Sequence, residues 1–378
     1  MTLEYPESTQ VVTKTWHLAP SYFWTRADGD ATQGPKTGDS SKGVRCHEED
    51  RVGRPEANAA SEMVGVARRV IVLATVLAAT LTPVISYRSG MSHDDGAAPI
   101  TVVQWNILAD GLADDYFVAR EIDADAVAFA QRFDRVVQVL IGIDADVVCL
   151  QELNHVDFFR GKFADSGYDL VWMPKPKPAI AGMDPDGVAI AYKTDRFERV
   201  GKPIYHVYGE SPKDNQVLAI VHLRDGDRSI LVANTHLKSK KGFEEVRRRQ
   251  ASEARELILA TIDEIGGVDG VIFAGDFNTE GGVDEPVYKE MLAGGFTSAY
   301  GVVNGAEPSW TTWKTRWNGA KYSTKKAVED FVFFAGANLR CVEVASLPDD
   351  DAVPESRYPT TTFPSDHFHL RVRFQFQN

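Results

Sequence analysis

A chain of 378 residues with 43% hydrophobic and 10% aromatic content has room for one large domain with extensions, and that composition excludes a chain disordered throughout. Residues 1 to 98 hold 10 of the 41 basic and 12 of the 54 acidic side chains, so residues 99 to 378 carry 31 and 42, a net charge of −11. A domain that acidic does not coat a polyanion by bulk charge; a phosphate-bearing substrate needs a local basic patch and a divalent cation.

Three cysteines, Cys46, Cys149 and Cys341, make no disulfide framework and show no metal-ligand spacing. Cys149, inside the apolar run VVCL, reads as a packed thiol. Residues 1 to 62 are rich in Gly, Asp, Thr and Ser without a sustained apolar period, and read as a disordered, low-complexity polar tail. Residues 63 to 98 hold a signal-anchor or signal-peptide-like segment plus a linker. Its apolar run, Val70 to Tyr87, carries no charge and follows Arg68-Arg69. A spanning helix needs about 20 apolar residues, and Thr75, Thr80, Thr82 and Pro83 interrupt this one, so a cleaved signal and a buried helix stay open beside an anchor. The expectation is association with a membrane through residues 70 to 87 or entry into the secretory pathway, with a cytoplasmic or organellar place as the alternative. For an anchor, Arg68 and Arg69 keep the N-terminal side cytoplasmic.

From residue 99 to 378 strands and helices alternate. ITVVQWNI reads as a strand ending near Asn106, AVAFAQRFDRVVQVLIGI as a helix, and Asp146 to Glu152 as a buried strand ending on a carboxylate. Further strands are expected at GVAIAYK, NQVLAIVHL, SILVANTHL, VIFAGD, EDFVFF and HFHLRVRF, with a long helix over Glu244 to Ile265. Many strands with few helices fit an α/β fold, a layered sandwich of two mixed β-sheets flanked by helices, better than a doubly wound parallel sheet.

Polar residues collect at the strand ends: Asn106, Glu152, Asn234 with His236, Asp276 with Asn278, Asp330, and Asp366-His367. In VIFAGDFNTE, Asp276 and Asn278 stand two apart, so both can face one site while Phe277 points back to pack. Each has an ordinary alternative: a solvated rim carboxylate for Glu152, turn caps for Asn234 and Asp366. His206, His222 and His369 match no motif.

The ordered set QWN, LQE, NTHL, GDFN, ED and SDH resembles the endonuclease/exonuclease/phosphatase superfamily over about residues 100 to 376. QWNILA, MPKP, PDG, THLKSKKGFEEVRRRQ, TTWKTR and PSDH make it most similar to the nocturnin branch, which also holds the Ccr4-type deadenylases and the Angel proteins. Residues 1 to 98 hold no leucine-rich repeat of the kind Ccr4 enzymes carry, and YSTKKAVED before Asp330 is longer and more basic than the family's usual approach to that acid.

The resemblance implies a phosphoester hydrolase using Mg2+, with Mn2+ possible. Mg2+ takes oxygen ligands and few protein carboxylates, which suits Glu152 as principal ligand with Asn106 beside it. Asp276 then orients and deprotonates a water, Asn278 donates to a phosphoryl oxygen, His367 contacts the phosphoryl group with Asp330 or Asp366 fixing its ring, and His236 stabilises charge from the other side. Lys175, Lys238, Lys240 and Arg316 match the branch's phosphate-contacting positions. The implied substrate is a nucleotide or RNA: the 2'-phosphate of NADP(H), or a poly(A) tail shortened from its 3' end. The cluster Trp310, Trp313 and Trp317 reads as core, which favours the dinucleotide. A sphingomyelinase-like phospholipase and a non-catalytic RNA-binding relative are the remaining alternatives, and no obligate protein partner is evident.

Overall fold

The computed structural model describes residues 98–117, 124–209, 215–317 and 319–377. The expectations for residues 1 to 62 and for the apolar run at 70 to 87 lie outside the described residues. Among the described residues no helix is long and apolar enough to cross a membrane.

The described residues open with β1 (Ile100–Asn106), α1 (Asp110–Phe117), α2 (Ala124–Val127), α3 (Phe129–Ile143), β2 (Val147–Leu153), α4 (Val156–Asp165), β3 (Tyr168–Pro174) and β4 (Gly187–Lys193). It continues through β5 (Glu198–Arg199), β6 (Ile204–Val207), β7 (Val217–Asp225), β8 (Arg228–His236), α5 (Glu244–Ile265), β9 (Gly270–Asp276), α6 (Pro286–Ala293), β10 (Thr297–Ser298) and α7 (Ala299–Asn304). The last elements are β11 (Thr312–Trp317), β12 (Tyr322–Ala327), β13 (Asp330–Ala335), β14 (Leu339–Val344) and β15 (Leu370–Phe376).

Two mixed sheets result, ordered β14-β15-β1-β2-β4-β3 and β10-β13-β9-β8-β7-β5, with β6 also on β7; β11 and β12 form a separate hairpin. Each sheet has one parallel pair near its middle, β1 with β2 and β8 with β9. Crevices that bind ligands lie outside the carboxyl ends of parallel strands, so the two pairs mark where a site can form.

The sheets pack face to face through inward residues such as Val102, Cys149 and Ile190 of the first and Ala219, Val232 and Ile272 of the second. On the outer face of the first, Phe133, Val136 and Leu140 of α3 and Phe159 of α4 cover Trp105, Val148 and Leu150. On the outer face of the second, Ala251, Ala254 and Ile258 of α5 and Met291 of α6 cover Leu231, Phe273 and Phe333. The result is the layered sandwich expected from the strand count.

Helix α5 occupies the residues its periodicity predicts and ends on Gly266 in the left-handed conformation (φ 78°), where a residue without Cβ costs least. The helix expected over 126 to 143 is broken at Ala128, whose extended backbone (ψ 128°) separates α2 from α3. The strand expected from His367 starts only at Leu370, because His367 and Phe368 meet Thr312 and Thr311 of the hairpin region instead. The thiol of Cys149 is buried between the sheets, and burial pushes its proton affinity up, as expected of a packed group.

Candidate active site

Strand register brings the polar ends together. His236 closes β8 opposite Asp276 at the end of β9, Asp276 lies opposite Asp330 at the start of β13, and Asn106 closes β1 opposite Gln151, next to Glu152. Gly275 has a packing reason rather than a turning one: a Cβ there would stand 2.4 Å from the Thr235 carbonyl oxygen, so glycine lets β8 and β9 approach at the site.

Asn106 joins the two sheets. Its Nδ2 donates to Glu152 Oε1 at 3.1 Å and to Asp276 Oδ2 at 2.9 Å, while its oxygen accepts from Leu108 N at 3.0 Å. Glu152 Oε2 accepts from Ala109 N at 3.0 Å. Glu152 sits at φ 57°, within an irregularity of the β2–β4 register, a conformation that side-chain-bearing residues adopt at a cost and that re-aims its carboxylate from the sheet into the crevice. Asp276 Oδ1 accepts from Asn278 N at 2.8 Å, and Phe277 turns back into the core as the alternation predicts. Burial, with Asp330 nearby, pushes the Asp276 carboxyl up to about 7.

The second half of the site is a histidine dyad. His367 Nδ1 lies 2.8 Å from Asp330 Oδ2, which also accepts from Thr311 Oγ1 at 2.6 Å, while Gln104 Nε2 donates to Asp330 Oδ1 at 2.8 Å. Asp330, not Asp366, therefore fixes the ring. On the other side Lys314 Nζ lies 2.9 Å from His367 Nε2. Burial and Lys314 oppose the imidazolium, and the Asp330 and Asp366 carboxylates outweigh them, so the ring's pKa is raised. His236 is opposite in character. Burial, Lys175, His367 and Lys314 hold it neutral, with Nε2 3.6 Å from Asp276 Oδ2 and Nδ1 buried without a hydrogen-bond partner.

Asn234 is the strand-end residue that stays outside the site. Its amide donates to the carbonyls of Leu150 and Ala189, both at 2.8 Å, and accepts from Gln151 Nε2 at 2.7 Å, stapling the sheets behind the candidate site. Asn278, at φ 52°, donates one amide hydrogen to the Leu237 carbonyl at 3.0 Å. Asp366 is an anchor for cations: it accepts from Lys314 Nζ at 2.9 Å and from Arg316.

The four basic residues are placed differently from one another. Lys175 is buried with Nζ 2.6 Å from Asp186 Oδ2, and Asp186 Oδ1 has no partner. Arg316 is tied to Asp366. Lys238 and Lys240 follow His236 on the loop out of β8, Lys238 half-buried over the Phe243 ring and Lys240 exposed. Arg247, which belongs by sequence to the same basic cluster, is fully buried. It clamps Glu285 with two bonds of 3.0 Å and donates to the carbonyls of Lys238 and Lys240 at 3.1 and 2.9 Å, so it shapes the loop rather than facing substrate.

Lys314, Glu329 and Asp186 are the residues sequence reasoning missed. Lys314 is two before Arg316 in TWKTR, on the same side of β11, and the period of two could have found it. Glu329 is buried beside Lys325 and 3.6 Å from Lys314, which hold its carboxyl down to about 2 against the burial penalty.

Oxygen donors dominate this arrangement. Glu152 and Asp276 meet across Asn106, and the ligand-capable atoms of Asp276, Asp330 and His367 all lie within 4.8 Å of one another. Carboxylate-rich donors without thiolate suit a hard divalent cation.

The sequence matches the Endonuclease/Exonuclease/phosphatase family over residues 103–367. The chain belongs to that family. Nocturnin of Xenopus laevis is 30% identical over 291 residues, covering 73% of this chain and 72% of the frog protein; nocturnin of Homo sapiens is 30% identical over 294 residues, covering 74% and 65%. The solved human nocturnin catalytic domain with a bound sulfate anion aligns with a TM-score of 0.59 at 26% identity, over 74% of this chain and 94% of that one. The structure of ANGEL2, a 2',3'-cyclic phosphatase, in complex with adenosine-2',3'-vanadate aligns with a TM-score of 0.61 at 19% identity, over 74% and 96%, and shows the shared fold. As a member of the Endonuclease/Exonuclease/phosphatase family this chain is a nocturnin-like phosphoester hydrolase, and the family generally depends on a divalent metal ion.

Proposed function

We propose that this hydrolase removes a phosphate monoester from a nucleotide, with the 2'-phosphate of NADP(H) preferred over the poly(A) tail. The observation that carries the reading is the convergence, at the ends of two parallel strand pairs, of a carboxylate pair bridged by Asn106, a His–Asp dyad and two buried lysines, Lys175 and Lys314, from separate segments. A monoester carries close to two negative charges and needs several cations on one group, whereas an RNA diester carries one and relies on stacking along the strand. Lys314 contacts His367 and Asp366, Arg316 contacts Asp366, Lys175 pairs with Asp186, and Lys238 and Lys240 lie on the loop that leaves His236, while Trp310 is core, packed on Val353 and Tyr358, with Trp313 and Trp317 only partly buried.

Glu152 would hold the cation, with Asn106 beside it fixing the separation from Asp276; Mg2+ is the natural choice for these oxygens, with Mn2+ an acceptable substitute. When bound, the cation neutralises charge on the phosphoryl oxygens. Asp276, with its proton affinity raised to near neutrality, is placed to orient a water and take its proton. Asn278 has a second amide hydrogen for a phosphoryl oxygen beyond the one it gives Leu237. His367, held by Asp330, presents Nε2 to the phosphoryl group together with Lys314, and neutral His236 donates from the opposite side. Asp366 keeps Lys314 and Arg316 in place.

Phosphate released from NADPH and shortening of a labelled oligo(A), measured at one Mg2+ concentration with wild type and Lys238→Ala, test the reading. Loss of one charge-assisted contact of about 1.5–3 kcal/mol should lower kcat/KM for NADPH roughly tenfold to a hundredfold. Strong oligo(A) shortening without phosphate from NADPH would reassign the substrate to poly(A).

A further inference from the structure

A second concavity is lined, apart from Phe129, by residues that follow Glu152 and precede Asp186 in the chain. It has a volume of about 480 Å³ and is walled by Phe129, His155, Phe158 and Trp172, with Asp157 and Asp184 at its mouth. The chain itself connects it to the site. His155 follows Glu152 by three residues, Trp172 precedes Lys175 by three, and Pro185 on the wall precedes Asp186, the partner of Lys175.

Its rings are held in place rather than merely collected. Trp172 Nε1 donates to the Leu153 carbonyl at 3.1 Å, His155 Nε2 lies 3.0 Å from Asp110 Oδ2, and the Phe129 and His155 rings approach to 4.0 Å between centroids. Phe129, Phe158 and Trp172 remain partly open to solvent, while Asp157 and Asp184 are exposed. One face of Phe158 already carries a cation, with Lys162 Nζ 5.4 Å from its centroid. Aromatic faces beside two carboxylates attract a planar group with positive charge, through stacking and through the ring quadrupole.

We propose that this cleft seats the positively charged nicotinamide ring of NADP+ while the 2'-phosphate lies at the strand ends. The assignment rests on the dinucleotide reading above. It makes the oxidised cofactor, whose ring is cationic, a better substrate than NADPH, whose ring is neutral.

Phosphate release from NADP+, NADPH and 2'-AMP, which lacks the nicotinamide half, tests it with the full chain. In Phe158→Ala the ratio of kcat/KM for NADP+ to that for 2'-AMP should fall about tenfold. In the double variant Asp157→Asn/Asp184→Asn, both on the surface and safe for folding, the preference for NADP+ over NADPH should shrink. Ratios equal to wild type in both variants overturn the assignment. Should wild type release phosphate from none of the three, the dinucleotide reading itself fails, and quenching of tryptophan fluorescence by 1-methylnicotinamide then decides the cleft. Saturable quenching that weakens in the Asp double variant upholds a cationic-ring site, and quenching linear in concentration removes it.

Discussion

Asp276 illustrates how the role proposed for a single residue opposes stability. Its carboxyl is buried with Asp330 and Glu329 near it, so its proton is held up to about 7, well above the ordinary 3.8. A carboxyl whose folded pKa exceeds its unfolded one binds more protons in the folded state, so its contribution falls as pH rises through about 7. At pH 8, with EDTA present, the ionised group is a liability, and Asp276→Asn should raise the melting temperature while abolishing phosphoester turnover. Thermal unfolding followed by circular dichroism reads the first effect, and a fall in melting temperature would mean that the carboxylate is stabilised by contacts outweighing its burial. In the proposed role of Asp276 as the base, the raised pKa would set the acid limb of activity, because only the ionised carboxylate accepts a proton from water.

At the scale of elements, α5 and the loop before it form one unit through Arg247. Removing its guanidinium leaves the buried Glu285 carboxylate without a counter-charge, held only by the Glu280 and Gly281 amides, and two loop carbonyls without their donor. Breaking a buried pair on one side costs about 3–5 kcal/mol, so Arg247→Ala should lose that much in urea unfolding, and Glu285→Gln added to it should recover part. A loss below about 1 kcal/mol would show that the loop holding Lys238 and Lys240 is fixed by other contacts. The extent of α5 was readable because an amphipathic period ending at a glycine is a local signal. Arg247 was not, because its partner lies on a segment 38 residues away and a basic helix face looks the same in sequence whether it is solvated or clamped. The same limit applies to Glu329, whose partner Lys314 lies on another strand. Strand-end residues were easier, since alternation and strand termination put Asn106, Glu152, His236, Asp276 and Asp330 on one rim without knowledge of the partner strands. Asn234 shows where that reasoning ends: it shares the rim with His236 but points between the sheets, a choice made by the carbonyls of Leu150 and Ala189 in the opposite layer.

For the whole molecule, two mixed sheets each offering a central parallel pair place four strand ends in one crevice, and membership of the Endonuclease/Exonuclease/phosphatase family rests on a match that spans both sheets. The central claim is that these ends make one metal-dependent hydrolytic site built on Glu152. Turnover of NADPH as a function of Mg2+ concentration, measured for wild type and Glu152→Ala alongside their thermal unfolding, tests it most directly. The site described here predicts Mg2+-dependent phosphate release by wild type and none by the variant, which still unfolds cooperatively near the wild-type temperature. Full Mg2+-dependent activity in a folded Glu152→Ala protein would contradict it.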